Sequence, residues 1–157
     1  MNSSQLDTPD YQSRTERQIL TAFGQLTLVF PGRFVEEIIL VKRSFVLPIP
    51  FFVPGLIGLT HSQGRLVPLL SLARLLRDPN ALIPEILVVV CVKSDMTNPA
   101  VDEIAGAGLV VDRVVGSVTD FSSSSGFSLD PASDYLRFEE LLSQIPNHIW
   151  QPKRWYS

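Results

Sequence analysis

Two glycine-bounded apolar segments constrain the fold of this chain more than any other feature. The first runs from Gly58 to Leu72, where a turn framed by glycines precedes an apolar strand. The second runs from Gly108 to Val118 and is rich in valine, which favours strands. Neither segment contains a nucleophile paired with a base, a cluster of metal ligands or a phosphate-binding loop. Both are typical of β-barrels, and this pattern indicates a protein that acts by contacting other proteins.

The composition excludes several classes of protein. The chain has 157 residues, of which 45% are hydrophobic and 18% are charged, so it has enough apolar material for a core. A net charge of −3 provides no basic face for nucleic acid. The longest apolar run, residues 45–59, is too short for a membrane span and is interrupted by prolines. We therefore predict a cytoplasmic protein that is not membrane-embedded and binds no nucleic acid.

Short strands separated by turns are predicted for most of the chain. The expected strand regions are residues 19–30, 66–70, 86–92 and 109–118, the last with a bulge or bend at Gly116. In residues 34–41 helix and strand compete, and the β-branched residues favour a short turn followed by a strand. The proline-rich residues 46–55 are expected to form an extended connection whose apolar side chains cover one end of a barrel. Ser71 is predicted to cap a short helix, and Asp130-Pro131 to begin another. Such elements indicate an all-β, barrel-type architecture.

The chain is divided into three parts by its composition. Residues 1–17 are polar and are predicted to form a flexible tail. Residues 18–146 are predicted to form one domain. Residues 147–157 form a tail with two tryptophans, which we expect to fold back onto the barrel because two exposed indoles would be a costly apolar patch.

Three blocks in a fixed order resemble the chemotaxis coupling protein family, which is built on CheW-like domains. The first is Leu28-Val29-Phe30-Pro31 followed by Val35-Glu36-Glu37-Ile38. The second, Gly58 to Leu72, is similar to the family pattern G-L-x-N-x-R-G-x-x-x-P-x-x-D-L, and the third, Gly108 to Val118, to G-L-x-V-D-x-V-x-G-V. The resemblance implies two small five-stranded β-barrels packed on a shared hydrophobic core, with short helices. A serine-rich loop, Ser122 to Ser125, replaces an expected hairpin, so the second barrel is expected to be incomplete.

The resemblance also implies a function without catalysis, cofactor or metal. Such a protein is an adaptor that links chemoreceptors or photoreceptors to a histidine kinase in two-component taxis signalling. The implied contacts with the regulatory domain of the kinase are Glu37, Ile39, Val41, His61, Gln63 and Arg65. The implied groove for the receptor signalling tip is formed by Val111, Asp112, Val114, Val115 and Val118. Asp112 is equally well explained as a solvated residue at the end of a strand.

Three positions depart from the family pattern. His61 stands where the family usually has Asn, Gln63 where it has Arg and Ser71 where it has Asp. The Arg position is associated with kinase docking, and a neutral amide makes contacts about half as strong as those of a guanidinium. Two alternatives therefore remain open: a divergent scaffold or decoy with altered kinase docking, and a small-ligand-binding β-barrel.

The remaining reactive side chains give no sign of catalysis. His61 and His148 are far apart in the sequence, and no Cys/His cluster accompanies either. Cys91 lies in an apolar strand, where a thiol is usually an inert small hydrophobe. The acidic pairs Glu36-Glu37 and Glu139-Glu140 are expected to be solvated, because neighbours in sequence point to different faces.

Overall fold

A computed structural model describes residues 16–119 and 134–152. Most of the predicted N-terminal tail, the serine-rich loop, Asp130-Pro131 and the last five residues lie outside the described part. The described strands are β1 (Gln18–Phe23), β2 (Leu26–Pro31), β3 (Val35–Lys42), β4 (Leu56–Ser62), β5 (Arg65–Ser71), β6 (Ile86–Val92), β7 (Gly108–Val111), β8 (Arg113–Val118) and β9 (Asp134–Arg137). The helices are α1 (Leu72–Leu76), α2 (Pro99–Asp102) and α3 (Phe138–Gln144), with single 3-10 turns at Gly32–Phe34 and Arg43–Phe45.

The strands form two sheets. The five-stranded sheet has the order β3-β6-β7-β5-β4, and the four-stranded sheet has the order β8-β1-β2-β9. Pairing is antiparallel except between β5 and β7 and between β2 and β9. The predicted strand region 109–118 is divided at Asp112, because the chain leaves one sheet there and enters the other.

The five-stranded sheet curls until its edge strands, β3 and β4, are joined by the connection between them. Leu47 and Leu59 exchange two backbone hydrogen bonds of 2.8 and 2.9 Å. The Thr60 hydroxyl donates to the carbonyl of Phe45 at 3.4 Å. Gly58, at φ +152°, allows this closure, because a Cβ there would collide with the carbonyl oxygen of Leu47. The predicted extended connection therefore closes the barrel through backbone contacts.

The proline-rich connection covers the barrel less completely than we expected. Phe52 and Val53 pack against the core, as predicted. However, Phe45, Leu47 and Phe51 remain 69%, 66% and 69% exposed. Prolines restrict how the connection can turn, so only part of its apolar surface reaches the core.

Two apolar clusters lie on opposite faces of the five-stranded sheet. The interior of the curled sheet is filled by Val41, Val67, Leu69, Leu87, Val89, Cys91 and Val110. Alternate residues of β6, Val90 and Val92, point the other way into the cluster that the two sheets share. In that cluster the ring of Phe138 from α3 lies 5.2 Å from Phe30 and 5.5 Å from Phe34. The uninterrupted apolar run of β6 thus reflects burial on both faces, as predicted.

The predicted fold class is confirmed: the described chain is mostly strand, in two curled sheets on a shared core, with short helices. The four-stranded sheet has one strand fewer than expected among the described residues. The expected irregularity near Gly116 is a bulge at Val115, since Leu20 pairs with Gly116 and Thr21 with Val114.

The last helix begins later than its sequence signals indicate. Asp130-Pro131 predicts a start there, but residues 134–137 form β9 and α3 begins only at Phe138. The parallel ladder between β9 and β2 fixes these residues as a strand, whereas Asp130-Pro131 lies outside the described residues. In the described ranges, no helix has both the length and the apolar character needed to cross a bilayer.

Candidate docking surfaces

The tip of the β4–β5 hairpin carries three of the predicted kinase-side residues. Ser62 pairs with Arg65, which leaves Gln63 and Gly64 as a two-residue loop. Both loop residues have positive φ, +49° for Gln63 and +79° for Gly64. This is the geometry of a type I′ turn, which matches the twist of the flanking strands. The tip is therefore a tight turn that presents the Gln63 side chain in a fixed position.

The carboxylate of Glu37 connects this tip to β3. It accepts a hydrogen bond of 3.2 Å from the Gln63 amide and one of 3.4 Å from the Ser62 hydroxyl. An Arg65 guanidinium nitrogen lies 3.9 Å from the same carboxylate. We call Glu37, Ser62, Gln63 and Arg65 the hairpin-tip cluster. It brings together three predicted residues from three elements, while His61 lies exposed beside it on β4.

On β3 the structure corrects which side chains are accessible. Val41 is 7% exposed and faces the barrel interior, so it cannot present its side chain to a partner, and Ile39 is partly buried against the same cluster. Ile38 and Leu40 point outward, with exposed fractions of 37% and 72%. Sequence reasoning missed these two residues because every residue from 38 to 41 is apolar, so alternation alone does not identify the outer face.

On the receptor side, β8 presents an apolar surface. Val114 and Val115 are 41% and 45% exposed, and Val118 is half-buried. Adjacent residues of a regular strand point to opposite faces, but the bulge at Val115 leaves both valines accessible. Val111, by contrast, is buried in β7 and belongs to the shared core. It cannot line an open groove in this conformation.

Asp112 makes internal contacts at the junction between β7 and β8. Its backbone N–H donates to the carbonyl of Ala22 at 2.9 Å. Its carboxylate accepts a hydrogen bond of 2.7 Å from the backbone N–H of Gly24. The residue is exposed, as a strand-end aspartate should be, but its carboxylate is engaged with the β1–β2 turn.

The other candidate groups are not arranged for chemistry. Burial, with a smaller contribution from the charge of Glu37, raises the pKa of the Cys91 thiol to about 11, so the thiol is protonated at neutral pH. Within residues 16–119 and 134–152, no three His, Cys, Asp or Glu side chains are grouped to hold a metal ion. Trp150 donates from its indole nitrogen to the carbonyl of Glu103 at 3.2 Å, so the described part of the aromatic tail packs against the body. Trp155 lies outside the described residues.

Comparison with known proteins gives a family for this architecture. The family model described as CheW-like domain matches residues 19–124. No curated protein matches the chain. Among solved structures, the chain is similar to the scaffolding protein TtCheW from Thermoanaerobacter tengcongensis, with 16% sequence identity and a TM-score of 0.50. The match covers 68% of this chain and 66% of that protein, slightly under two thirds of its length, and at this identity it shows the fold alone. Because the family match covers more than half of the sequence, the chain belongs to the family of CheW-like domains.

Proposed function

We propose that this chain is a cytoplasmic adaptor that links the signalling tip of a chemoreceptor or photoreceptor to the regulatory domain of a histidine kinase. CheW-like proteins are non-enzymatic scaffolds, and this chain is non-enzymatic with them. One observation carries the proposal: two exposed apolar surfaces lie on different sheets that share one core. Ile38 and Leu40 lie on the five-stranded sheet, and Val114 and Val115 lie on the four-stranded sheet. An adaptor needs two such independent surfaces.

The kinase-side surface has the composition of a small protein interface. Leu40 and Ile38 supply exposed apolar area on the outer side of β3, and the hairpin-tip cluster supplies polar groups on the same five-stranded sheet. Interfaces commonly combine an apolar centre with a polar rim. Glu37 holds Gln63 and Arg65 in place before a partner arrives, which reduces the entropy lost on binding.

The receptor-side surface suits an amphipathic helix. Val114, Val115 and Val118 offer branched apolar side chains on a single strand, and a helical hairpin tip can place its apolar face against them. Each surface is modest, and signalling contacts of this size are individually weak. Several adaptors bound in one array would supply the remaining affinity through effective concentration.

The kinase side is tested by introducing a charge into its apolar centre. We expect Leu40→Glu to weaken binding to the kinase regulatory domain at least tenfold, about 1.4 kcal/mol, because the carboxylate would be desolvated in the interface. Met96→Glu is the matched control, since Met96 is 94% exposed and lies beyond the end of β6 that pairs with Val35, whereas Leu40 pairs with Val88. Isothermal titration calorimetry measures both. Equal affinities for the two variants would contradict the assignment of this surface.

The receptor side is tested in the same way. We expect Val114→Glu to weaken binding to a receptor signalling-tip fragment and to leave kinase binding unchanged. Met96→Glu, at a residue 94% exposed, is the control. Wild-type protein that bound neither fragment would refute the adaptor function itself.

A divergent scaffold or decoy is the second candidate, and Gln63 favours it. The Gln63 amide is held by Glu37 at the hairpin tip, where the family usually presents an arginine. Ser71 does not add to this case, because it is buried and caps α1. The small-ligand alternative finds no support, since apolar side chains from Val41 to Val110 fill the interior of the described five-stranded barrel.

A further inference from the structure

Three segments that are far apart in sequence meet where the chain passes from one sheet to the other. Asp112, between β7 and β8, bonds through its backbone to Ala22 at the end of β1 and through its carboxylate to Gly24 in the β1–β2 turn. Hydrogen bonds to an ionised acceptor are about twice as strong as neutral ones. The two bonds together fix the start of β8 against the end of β1.

The third segment is the C-terminal end of α1, the helix that directly follows β5 of the five-stranded sheet. The Arg77 guanidinium lies 4.4 Å from the centre of the Phe23 ring and donates to the Phe23 carbonyl at 3.4 Å. Gly24 is required beside this guanidinium for two reasons. Its φ of +59° is one that side-chain-bearing residues rarely adopt, and a Cβ there would collide with the Arg77 guanidinium. We call Asp112, Gly24, Phe23 and Arg77 the crossover clamp.

The N-terminal half of β8 depends on this clamp more than the C-terminal half does. Within the described residues β8 pairs only with β1, and the bulge at Val115 interrupts that ladder. On the N-terminal side of the bulge, two pairs remain, Thr21 with Val114 and Ala22 with Arg113. The Asp112 contacts directly precede these two pairs.

We propose that Asp112 is a positioning residue that sets the placement of β8, and with it the receptor-side surface, rather than a residue that touches the receptor. This inference rests on the proposed adaptor function for its binding consequence. Its structural consequence does not depend on that function. Without the Asp112 carboxylate, the start of β8 detaches from β1 more often, while the five-stranded sheet remains ordered.

The structural half is measured by hydrogen–deuterium exchange on the full chain. We expect Asp112→Ala to speed exchange of the Gly24 amide and of amides in β8, with no change in β6. Asp112→Asn should restore much of the protection, because its amide oxygen can still accept from Gly24. Asp134→Ala is the control: it removes an exposed aspartate from β9, at the opposite edge of the same sheet. Unchanged exchange in β8 of Asp112→Ala would overturn the inference.

The binding half uses the receptor-tip and kinase fragments with the same variants. We expect Asp112→Ala to weaken receptor binding about fivefold, within the range of typical coupling energies, and to leave kinase affinity within about a factor of two. Weaker receptor binding with unchanged β8 exchange would mean that Asp112 contacts the receptor directly, and would overturn the inference. An equal loss for both partners would show a general structural role and overturn it as well. If the wild type bound neither partner, the proposed function would fail, and exchange would still decide whether Asp112 holds β8.

Discussion

Replacing Gly58 by alanine should show how the five-stranded barrel is closed. Gly58 has a φ of +152°, and its α-carbon lies so close to the 46–47 segment that an added Cβ would meet the Leu47 carbonyl and stand 2.8 Å from Val46 Cγ1. Backbone carbonyls cannot move aside as a flexible side chain can. The connection would have to leave β4, and the two Leu47–Leu59 hydrogen bonds would be lost.

The expected cost of Gly58→Ala follows from these two effects. Holding an alanine at a sparsely populated φ costs about 1–3 kcal/mol. Losing two backbone hydrogen bonds costs about 1 kcal/mol each. The sum, about 3–5 kcal/mol, is a large part of the roughly 5–15 kcal/mol that stabilises a typical domain.

Gly64→Ala is the matched control for the collision. Gly64 also has a positive φ, +79°, but no heavy atom lies within 4 Å of an added Cβ. Its replacement should therefore cost only the backbone term, about 1–2 kcal/mol. The two variants should differ by about 1–4 kcal/mol, so with a urea m-value of about 2 kcal/mol/M Gly58→Ala should unfold about 1 M earlier than Gly64→Ala, as followed by circular dichroism. Equal losses in the two variants would refute the idea that close backbone approach at Gly58 closes the barrel.

Three further predictions concern single side chains. Ser71→Ala should lower the free energy of unfolding by about 1 kcal/mol in thermal unfolding, because the Ser71 hydroxyl accepts from the Arg74 amide at 3.3 Å. Ser71→Asp should retain the cap, and an aspartate as destabilising as alanine would contradict this prediction. Gln63→Arg should strengthen binding to a kinase regulatory domain that normally meets arginine, and unchanged affinity would count against the decoy hypothesis. Cys91 should resist iodoacetamide at pH 8 while folded and react when unfolded, because its pKa is raised from 9.0 to about 11 by burial. As the pH rises from about 9 to 11, the unfolded thiol ionises first, so the free energy of unfolding should fall over that window; labelling at equal rates in both states would contradict the burial argument.

Local sequence signals predicted most single elements correctly. The run Ile86 to Val92 corresponds to β6, and Ser71 caps α1 as its hydroxyl and position indicate. These two predictions succeed because a strand buried on both faces needs an unbroken apolar run and a helix cap needs a side-chain acceptor, and both can be read from the local sequence. The family resemblance, which rests on three short sequence blocks, made it possible to predict the two-sheet architecture as well.

The candidate surfaces were predicted less well than the fold. The family resemblance implied that Glu37, Gln63 and Arg65 belong to one surface, and the structure brings their side chains together. It could not distinguish inward Val41 from outward Leu40, because both faces of β3 are apolar in this stretch. A strand's register relative to the core depends on its partners, and a shift of one residue exchanges the two faces.

The sequence by itself determined that this chain is rich in strands, that its blocks follow the order of a CheW-like domain and where several elements begin and end. Only the tertiary structure decided where the chain crosses between sheets, which valines reach the surface and why Asp112 bonds to Gly24. These features depend on contacts between residues that are distant in sequence, such as the 2.7 Å bond across the crossover. Periodicity and capping report a residue's immediate neighbours along the chain, whereas pairing between sheets is fixed by the packing of the whole core.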